Sequence, residues 1–521
     1  MRLAALPEIM AWLKQSPAWL FIGTARMSTS ASTERQRSVG LSSVPAWLWI
    51  GAGVLLLLLV QGRALLNDSD MFWQIRTGQW IMANAAMPHA DVYSFTRQGA
   101  PWMSSSWLAQ VLFAQAYAAG DWGGVVALTA LALSATFALL TFLLMRQMSA
   151  VQASLVALLA AALTAQHMLA RPHTLALPVM VAWTAGLLAA SGRGKAPSWW
   201  LLLLMVLWAN LHGGFIFGLA LIAPMLLDAV SNAKPPERRG LALQWIMFGC
   251  AALIAACVTP YGWGSLLAAR NIMQLGPLLL LISEWAPPDF SRFDLLEAVI
   301  LCGIGAALWR GVTLPLPRLL LVLGFLHLML GHVRNIEIFA LLTPLAVAAP
   351  LAKQFGWHAA SSSEPPMRGW SVAALAAFVA VVGIGGAMVA IRYQPPAEAM
   401  PAAAVETLKS HRAARVFNDY SFGGYLIWAG LPPFIDGRAE LYGESFVAAA
   451  FNAQSLRRPD QLLSLLDTYR IDSTLLVASS PVARLMDHLG GWRKIHGDAV
   501  AVVHVRENAG SGVAIKPAPG S

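Results

Sequence analysis

Two aspartates, Asp68 and Asp70, stand two residues apart at the end of the first long apolar segment. Paired carboxylates can divide the work of a reaction on a hydroxyl group, because one can take the proton while the other holds a metal ion or orients the reacting group. An aspartate at this position can also do no more than mark where a helix leaves the bilayer. Trp73 follows the pair, and His89 and Asp91 come later in the same polar loop. We treat Asp68 and Asp70 as candidate catalytic residues, and the other three as candidate substrate-binding residues.

Arg171 and His173 lie at the start of another apolar run, in the sequence Arg-Pro-His. A guanidinium binds two phosphate oxygens at once, so Arg171 suits an anion clamp. An arginine at the mouth of an apolar helix can equally be a simple membrane anchor. Both interpretations stay open from the sequence alone.

Two later polar clusters interrupt apolar stretches. The first is Asn-Leu-His-Gly-Gly at 210–214, which either lines a cavity or forms a tight connection between two spans. The second surrounds Arg334, which either serves a site or pairs with Glu337 three residues later. The candidate binding residues in these regions and between them are Asn210, His212, Glu284, His332, Arg334 and Asn335.

The C-terminal part of the chain carries the sequence Ile-Asp-Gly-Arg-Ala-Glu at 435–440. Asp-Gly is first of all a turn signal. The alternative is that Asp436, Arg438 or Glu440 covers the site formed by the membrane segments and contacts an acceptor molecule. Asp436 and Arg438 therefore join the candidate binding residues.

The composition is that of a polytopic membrane protein. The chain has 521 residues, of which 57% are hydrophobic and only 12% charged, and its mean hydropathy is +0.60. The net charge of +9 does not indicate a nucleic-acid partner, because most of the basic residues fall in short loops between apolar segments. Cys250, Cys257 and Cys302 lie within apolar runs, so they predict neither a disulfide framework nor a metal site.

Hydropathy predicts about eleven transmembrane helices between residues 46 and 392. Residues 1–45 are expected to be a cytoplasmic tail, and 67–107 a first extracytoplasmic loop. The apolar segment 264–290 is not expected to span, because a crossing there would invert every later loop. The predicted spans lie near 46–66, 123–145, 150–169, 174–191, 198–211, 215–230, 241–258, 293–309, 316–332, 336–352 and 369–391.

The charges of the loops predict the orientation. With the N-terminal tail inside, alternation puts six successive basic segments in the cytoplasm and every candidate site residue at the opposite face. Short β-rich runs that alternate with helical stretches in 393–521 predict a small α/β domain, which would be extracytoplasmic. The sequence therefore predicts an α-helical polytopic membrane protein with a C-terminal extracytoplasmic α/β domain.

Several motifs resemble a group of bacterial polytopic membrane proteins. The first loop carries D-x-D-x-x-W at 68–73, T-G-x-W-I at 77–81, P-x-x-D-x-Y-S-F-T at 88–96 and P-W-x-x-x-x-W-L at 101–108. Arg-Pro-His, Trp-Ala-Asn-Leu-His-Gly-Gly, Pro-Tyr-Gly and the two C-terminal motifs at 423–428 and 435–443 look like the same group. That group in turn resembles the GT-C glycosyltransferases, which share the long first loop with an acidic catalytic residue and use polyprenyl-phosphate-linked sugar donors. Many GT-C enzymes have Asp-Glu or a single Asp where this chain has Asp-Ser-Asp, so the resemblance leaves open whether Asp68 or Asp70 is catalytic.

The resemblance implies an inner-membrane enzyme that transfers a sugar from a polyprenyl-phosphate donor to an extracytoplasmic glycan, lipid or protein. An acidic residue of the first loop would act on the acceptor hydroxyl, and Arg171, His173, His212 and Arg334 would hold the phosphate. Some relatives use a divalent metal, although no residue of this sequence requires one. The alternatives are a transporter or flippase for a lipid-linked substrate, and a polysaccharide ligase or polymerase.

Overall fold

The computed structural model describes residues 45–273, 283–358 and 369–507. The predicted N-terminal tail, part of the predicted non-spanning segment and the last residues of the chain lie outside these ranges. The described part is mostly helical, with one small sheet near the C-terminus.

The N-terminal region of the described chain is a bundle of apolar helices. Its helices are α1 Ala46–Val60, α2 Gly62–Leu65, α3 Asp70–Asn84, α4 Trp107–Leu144, α5 Ala150–Thr164, α6 Pro172–Gly192, α7 Leu201–Leu211, α8 Phe215–Ala220, α9 Ile222–Asn232, α10 Arg238–Ala256, α11 Gly264–Met273, α12 Leu295–Arg310, α13 Leu316–Gly331, α14 Ile336–Phe355 and α15 Gly369–Ala390. Short 3₁₀ turns at Ser283–Trp285 and Val333–Asn335 connect some of them.

Six helical stretches among the described residues are long and apolar enough to cross a membrane. They are Trp107–Leu144, Ala150–His167, Pro172–Gly192, Phe215–Asn232, Pro235–Ala256 and Val333–Phe355. Four further apolar helices are shorter. The chain is thus a multi-pass membrane protein.

Helix α4 packs along α1, α3 and α6 and forms the centre of the bundle. It is two helices joined at a kink, because Gly120 and Asp121 leave helical geometry and Asp121 has a left-handed φ of 53°. The first part of α4 therefore continues the first loop, and only its second part matches the span predicted near 123–145.

Helix α3 is continuous through Gly78, where glycine lowers the helix propensity. Packing explains this glycine, because a Cβ at Gly78 would overlap the backbone carbonyl of Gln110 in α4. The glycine lets α3 and α4 approach closely, and tertiary packing outweighs the local cost. Asp70 stands in the first turn of α3, where the helix dipole favours a carboxylate.

On the opposite side of the bundle, a buried ion pair joins three helices. Arg318 Nη2 lies 2.7 Å from Asp228 Oδ2. Ser191 donates a hydrogen bond of 2.5 Å to the same carboxylate oxygen. The pair fixes α6, α9 and α13 together away from the candidate site.

The C-terminal region contains a mixed four-stranded sheet in the order β1-β2-β4-β3. Strands β1 and β2 are parallel, while β4 is antiparallel to both β2 and β3. The Gly-Gly-Tyr-Leu-Ile-Trp run is helical. The elements are α16 Ala402–Ser410, β1 Val416–Asn418, α17 Gly423–Ala429, α18 Ala439–Tyr442, α19 Glu444–Gln454, α20 Pro459–Thr468, β2 Ser473–Val477, α21 Pro481–Met486, β3 Trp492–Gly497 and β4 Ala501–Arg506.

Candidate functional site

The candidate site is centred on the first-loop carboxylates and Arg171. Arg171 directly precedes α6, whose first residue is proline, a residue favoured at that position. The adjacent Ala170 N–H donates a hydrogen bond of 2.8 Å to the carbonyl of Leu65 at the end of α2. This backbone contact brings the start of α6 beside Asp68, so an arginine 103 positions away in sequence meets the carboxylate pair.

Asp68 is buried and fully engaged by its neighbours. The Arg171 guanidinium donates to both of its carboxylate oxygens, with Nη2 2.9 Å from Oδ1. The backbone N–H of Asp70 donates to the same Oδ1 at 3.0 Å. Asp68 therefore orients Arg171 and fixes the turn that leads into α3.

Asp70 is freer. Its side chain is 24% exposed, and its Oδ2 lies 3.4 Å from Arg171 Nη2. Trp73 Nε1 donates a hydrogen bond of 3.0 Å to Oδ1, so Trp73 contacts the acidic pair. Desolvation and then the charge of Asp68 raise the pKa of Asp70 to about 7, against the opposing effect of Arg171. A carboxylate in this range can accept a proton near neutral pH.

A third carboxylate, Glu284, completes the cluster. It belongs to the Ser283–Trp285 turn and accepts a hydrogen bond from Nη1 of Arg171. Arg171 thus has acidic partners on both sides, and its guanidinium is already occupied. The interpretation of Arg171 as a bare membrane anchor is wrong, because both ends of the guanidinium bind carboxylates.

Arg334 lies beside this cluster. Its guanidinium stacks over the ring of Trp285 at 4.1 Å. His332 Nδ1 contacts the Trp285 carbonyl at 2.6 Å, and the Val333 N–H donates to the Ala286 carbonyl at 2.9 Å. Among the described residues Arg334 forms no salt bridge, and its predicted pairing with Glu337 is not observed. Glu337 instead lies 3.4 Å from His173.

His212 is adjacent to His173, with ring centroids 6.0 Å apart. The Gly214 N–H donates to His212 Nδ1 at 3.1 Å, so a neutral ring carries its proton on Nε2. Burial, followed by the charges of His173, Arg334 and Arg171, lowers the pKa of His212 well below its usual value. His212 is therefore a neutral hydrogen-bond donor within electrostatic reach of both arginines.

Six of the sequence-predicted site residues lie outside the carboxylate cluster and stabilise the surrounding structure. Asn210 accepts from Trp107 Nε1 at 2.7 Å. Asn335 donates to the Leu328 carbonyl at 2.8 Å. The His89 ring packs edge-on against Tyr261 at 5.5 Å.

The remaining three form one buried network, in which Asp91 and Asp436 both bind Arg438. Arg438 lies 2.7 Å from each of these carboxylates, and all three side chains are fully buried. Tyr442 donates to Asp436 at 2.6 Å. This buried network joins the first loop to the C-terminal region, so Arg438 and Asp436 hold two parts of the chain together rather than face an open site.

Sequence reasoning gave no site role to Trp285 or Tyr420. Trp285 supports Arg334 and packs edge-on against His332 at 5.5 Å. Burial, followed by the charges of Asp70, Asp436 and Glu440, raises the pKa of Tyr420 well above its usual value. The motif Asp-Tyr-Ser-Phe-Gly-Gly at 419–424 was the only sequence signal for Tyr420, and the effect of the Asp70 charge on it is visible only in the tertiary structure.

Within the described residues, no group of three or more His, Cys, Asp or Glu side chains has the geometry of a metal site. Asp68, Asp70 and Glu284 surround the guanidinium of Arg171 instead. The carboxylates therefore have a cation of their own, supplied by the chain.

No family model matches the chain. No curated protein matches it by sequence. Comparison with solved structures finds the archaeal oligosaccharyltransferase AglB from Archaeoglobus fulgidus, determined in complex with an inhibitory peptide and a dolichol-phosphate. The match has a TM-score of 0.51 and 12% sequence identity, and it covers 90% of this chain and 75% of that one. The chain has a GT-C-like fold. The resemblance inferred from the motifs is thus confirmed at the level of the fold.

Proposed function

We propose that this GT-C-like protein is a membrane glycosyltransferase that moves a sugar from a polyprenyl-phosphate-linked donor to an extracytoplasmic acceptor. The observation that carries the proposal is the pairing of a partly exposed Asp70, with its pKa raised to about 7, with an Asp68 that is fully committed to Arg171. The two aspartates have different environments and therefore different roles. The fold shared with a lipid-linked oligosaccharide transferase supports the same function.

Asp70 is the general base in this mechanism. It takes the proton of the acceptor hydroxyl as the oxygen attacks the anomeric carbon of the donor. The new carbon–oxygen bond forms while the bond from that carbon to the phosphate oxygen breaks. The electron pair stays with the phosphate, and polyprenyl phosphate leaves.

Asp68 positions the base through the Asp70 N–H and holds Arg171 in place. Arg334 is the cation that binds the donor phosphate, because it is stacked on Trp285 and forms no ion pair with a described residue. His212 adds a neutral Nε2–H donor, and His173 contributes alongside it. These donors stabilise the charge that develops on the leaving phosphate.

The proposed arrangement in the membrane follows the loop charges. Residues 46–392 form the transmembrane domain with about eleven spans, and 393–521 form an extracytoplasmic α/β domain. The N-terminus is cytoplasmic, and the host membrane is the bacterial inner membrane. Asp68, Asp70 and Glu284 already surround the guanidinium of Arg171, and a metal titration of transfer activity tests whether a divalent metal takes part as well.

The decisive experiment compares Asp70→Asn and Asp68→Asn proteins in membranes supplied with a labelled polyprenyl-phosphate sugar. Both should insert normally. Asp70→Asn should lose about 10²–10⁴-fold in transfer rate, the usual contribution of a general base. Asp460→Asn is the matched control, because Asp460 is 65% exposed and lies in α20 of the C-terminal region.

Full transfer activity in both variants would refute the assignment of the carboxylates. Translocation of a lipid-linked sugar without transfer would identify a flippase instead. Transfer of a whole polysaccharide from its carrier would identify a ligase.

A further inference from the structure

The C-terminal domain closes directly on the turn that carries the two aspartates. Gly424, in the first turn of α17, is so near this turn that a Cβ there would overlap the carbonyl oxygen of Ser69. Gly437, in the Asp-Gly-Arg segment, is so near that a Cβ would overlap the carboxylate of Asp70. Two glycines separated by 13 positions thus approach two consecutive residues, Ser69 and Asp70.

Other contacts hold the domain at this place. Helix α17 packs along α3, and Phe72 stacks edge-on against Tyr425 at 5.1 Å. Thr96 donates to the Phe434 carbonyl at 2.7 Å, and Arg97 donates to the Tyr442 carbonyl at 2.8 Å. The docking is therefore built from both sides of the site, and it does not depend on the glycines alone.

We propose that the C-terminal domain forms part of the candidate active site, and that Gly424 and Gly437 are positioning residues that fix the place of the Asp70 carboxylate. The proposal rests on the proposed function of Asp70 as a base. Asp70 is held by Trp73 on its own helix and by Arg171, and Gly437 forms the third wall around it. A side chain larger than hydrogen at 437 would push the carboxylate away from these two partners.

The same docking accounts for the protonation behaviour of Asp70. Desolvation is the largest cause of its raised pKa, and the domain supplies one wall of the enclosure. The charged and titratable groups that face Asp70 are Asp68 from the preceding turn, Arg171 from the start of α6, Glu284 from the Ser283–Trp285 turn and Tyr420 from the C-terminal domain. Moving the domain away would admit water and lower the pKa toward its usual value.

The test measures the protonation of Asp70 without using transfer activity. An apolar carbodiimide reacts with protonated carboxyl groups, so the extent of Asp70 labelling is followed by mass spectrometry of the full-length protein from pH 4.5 to 8.5. The wild-type midpoint should lie near the raised pKa of Asp70, about 7. In Gly424→Ala the midpoint should move to lower pH, because α17 is displaced from Ser69.

Gly437→Ala is the second variant, in case Gly424→Ala does not fold. Its midpoint should also move, and its transfer rate should fall at every pH. Gly490→Ala is the matched control, since Gly490 belongs to the same domain and a Cβ there meets no atom within 4 Å. Its labelling midpoint and its transfer rate should match those of the wild type.

An unchanged midpoint in a correctly inserted Gly437→Ala or Gly424→Ala protein would overturn the proposal. The outcome is separate from that of the proposed function. If the midpoints move as expected but no sugar is transferred by the wild type, the role of the domain stands and the glycosyltransferase assignment fails.

Discussion

The pH dependence of transfer is the most direct consequence of the site. If Asp70 is the base, only its ionised form is active. With a pKa of about 7, roughly nine-tenths of the protein is active at pH 8, about one-tenth at pH 6 and about one-hundredth at pH 5. The rate should therefore fall about tenfold from pH 8 to pH 6, and about tenfold more by pH 5. An aspartate with an ordinary pKa would give no change over this range.

Asp68→Asn gives a second, directional result. The charge of Asp68 raises the pKa of Asp70, while the charge of Arg171 lowers it. Without the negative charge of Asp68, the positive charge of Arg171 acts on Asp70 with less opposition. Both effects lower the pKa of Asp70 and favour the ionised base. The acidic limb of the pH–rate profile should therefore move to lower pH, by about one unit for a neighbouring charge of this kind. The maximal rate should still fall, because Arg171 loses its bidentate partner.

The assay is the initial rate of sugar transfer at saturating donor from pH 5 to 8.5 in detergent-solubilised protein. Samples held at each pH and returned to pH 8 control for irreversible loss. A wild-type profile that is flat between pH 5 and pH 8 would falsify the assignment of Asp70 as base. An acidic limb that moves upward in Asp68→Asn would contradict the electrostatic reasoning.

Two further predictions concern arginines. Arg334→Ala should raise the KM for the lipid-linked donor about tenfold or more, because a charge-assisted phosphate contact is lost, and it should affect the KM for the acceptor less. Arg310→Ala, at the far end of a neighbouring helix, should change neither KM. Equal effects of the two variants would refute a phosphate role for Arg334. Arg438→Met should destabilise the protein by about 3–5 kcal/mol, because it leaves the buried Asp91 carboxylate unpaired. Thermal unfolding measures this loss, and Arg458→Met, whose ion pair is exposed, should leave the unfolding temperature essentially unchanged.

Hydropathy predicted a helical, multi-pass membrane region, because it depends on composition over many residues. The orientation that follows from the loop charges stays a prediction. The same reasoning placed Asp68, Arg171 and Arg334 at one face, and the structure brings these three into one neighbourhood. What it could not predict was which polar residues would meet. That depends on single backbone contacts, such as the one between Ala170 and Leu65.

The role of Asp91 is the clearest example of that limit. In sequence it is a candidate substrate-binding residue in the same loop as the aspartate pair. In the structure its oxygens accept hydrogen bonds from the N–H groups of Tyr93 and Ser94, and one also binds Arg438 from 347 positions away. The spacing of an aspartate and a following serine is typical of an Asx turn and could have indicated a structural role. The long-range arginine could not be predicted from local pattern.

On the proposed function, the charges of the site also set the direction from which each substrate approaches. Asp68, Asp70 and Glu284 surround a single Arg171, so this side of the site repels a phosphate. Arg334 lies beside this cluster, stacked on Trp285. The donor phosphate should therefore lie at Arg334, and the acceptor hydroxyl should reach Asp70 through the exposed part of its side chain, because Gly437 leaves no room on the side of the C-terminal domain. The domain then closes one side of the base and raises its pKa by desolvation, while the open side is left for the acceptor.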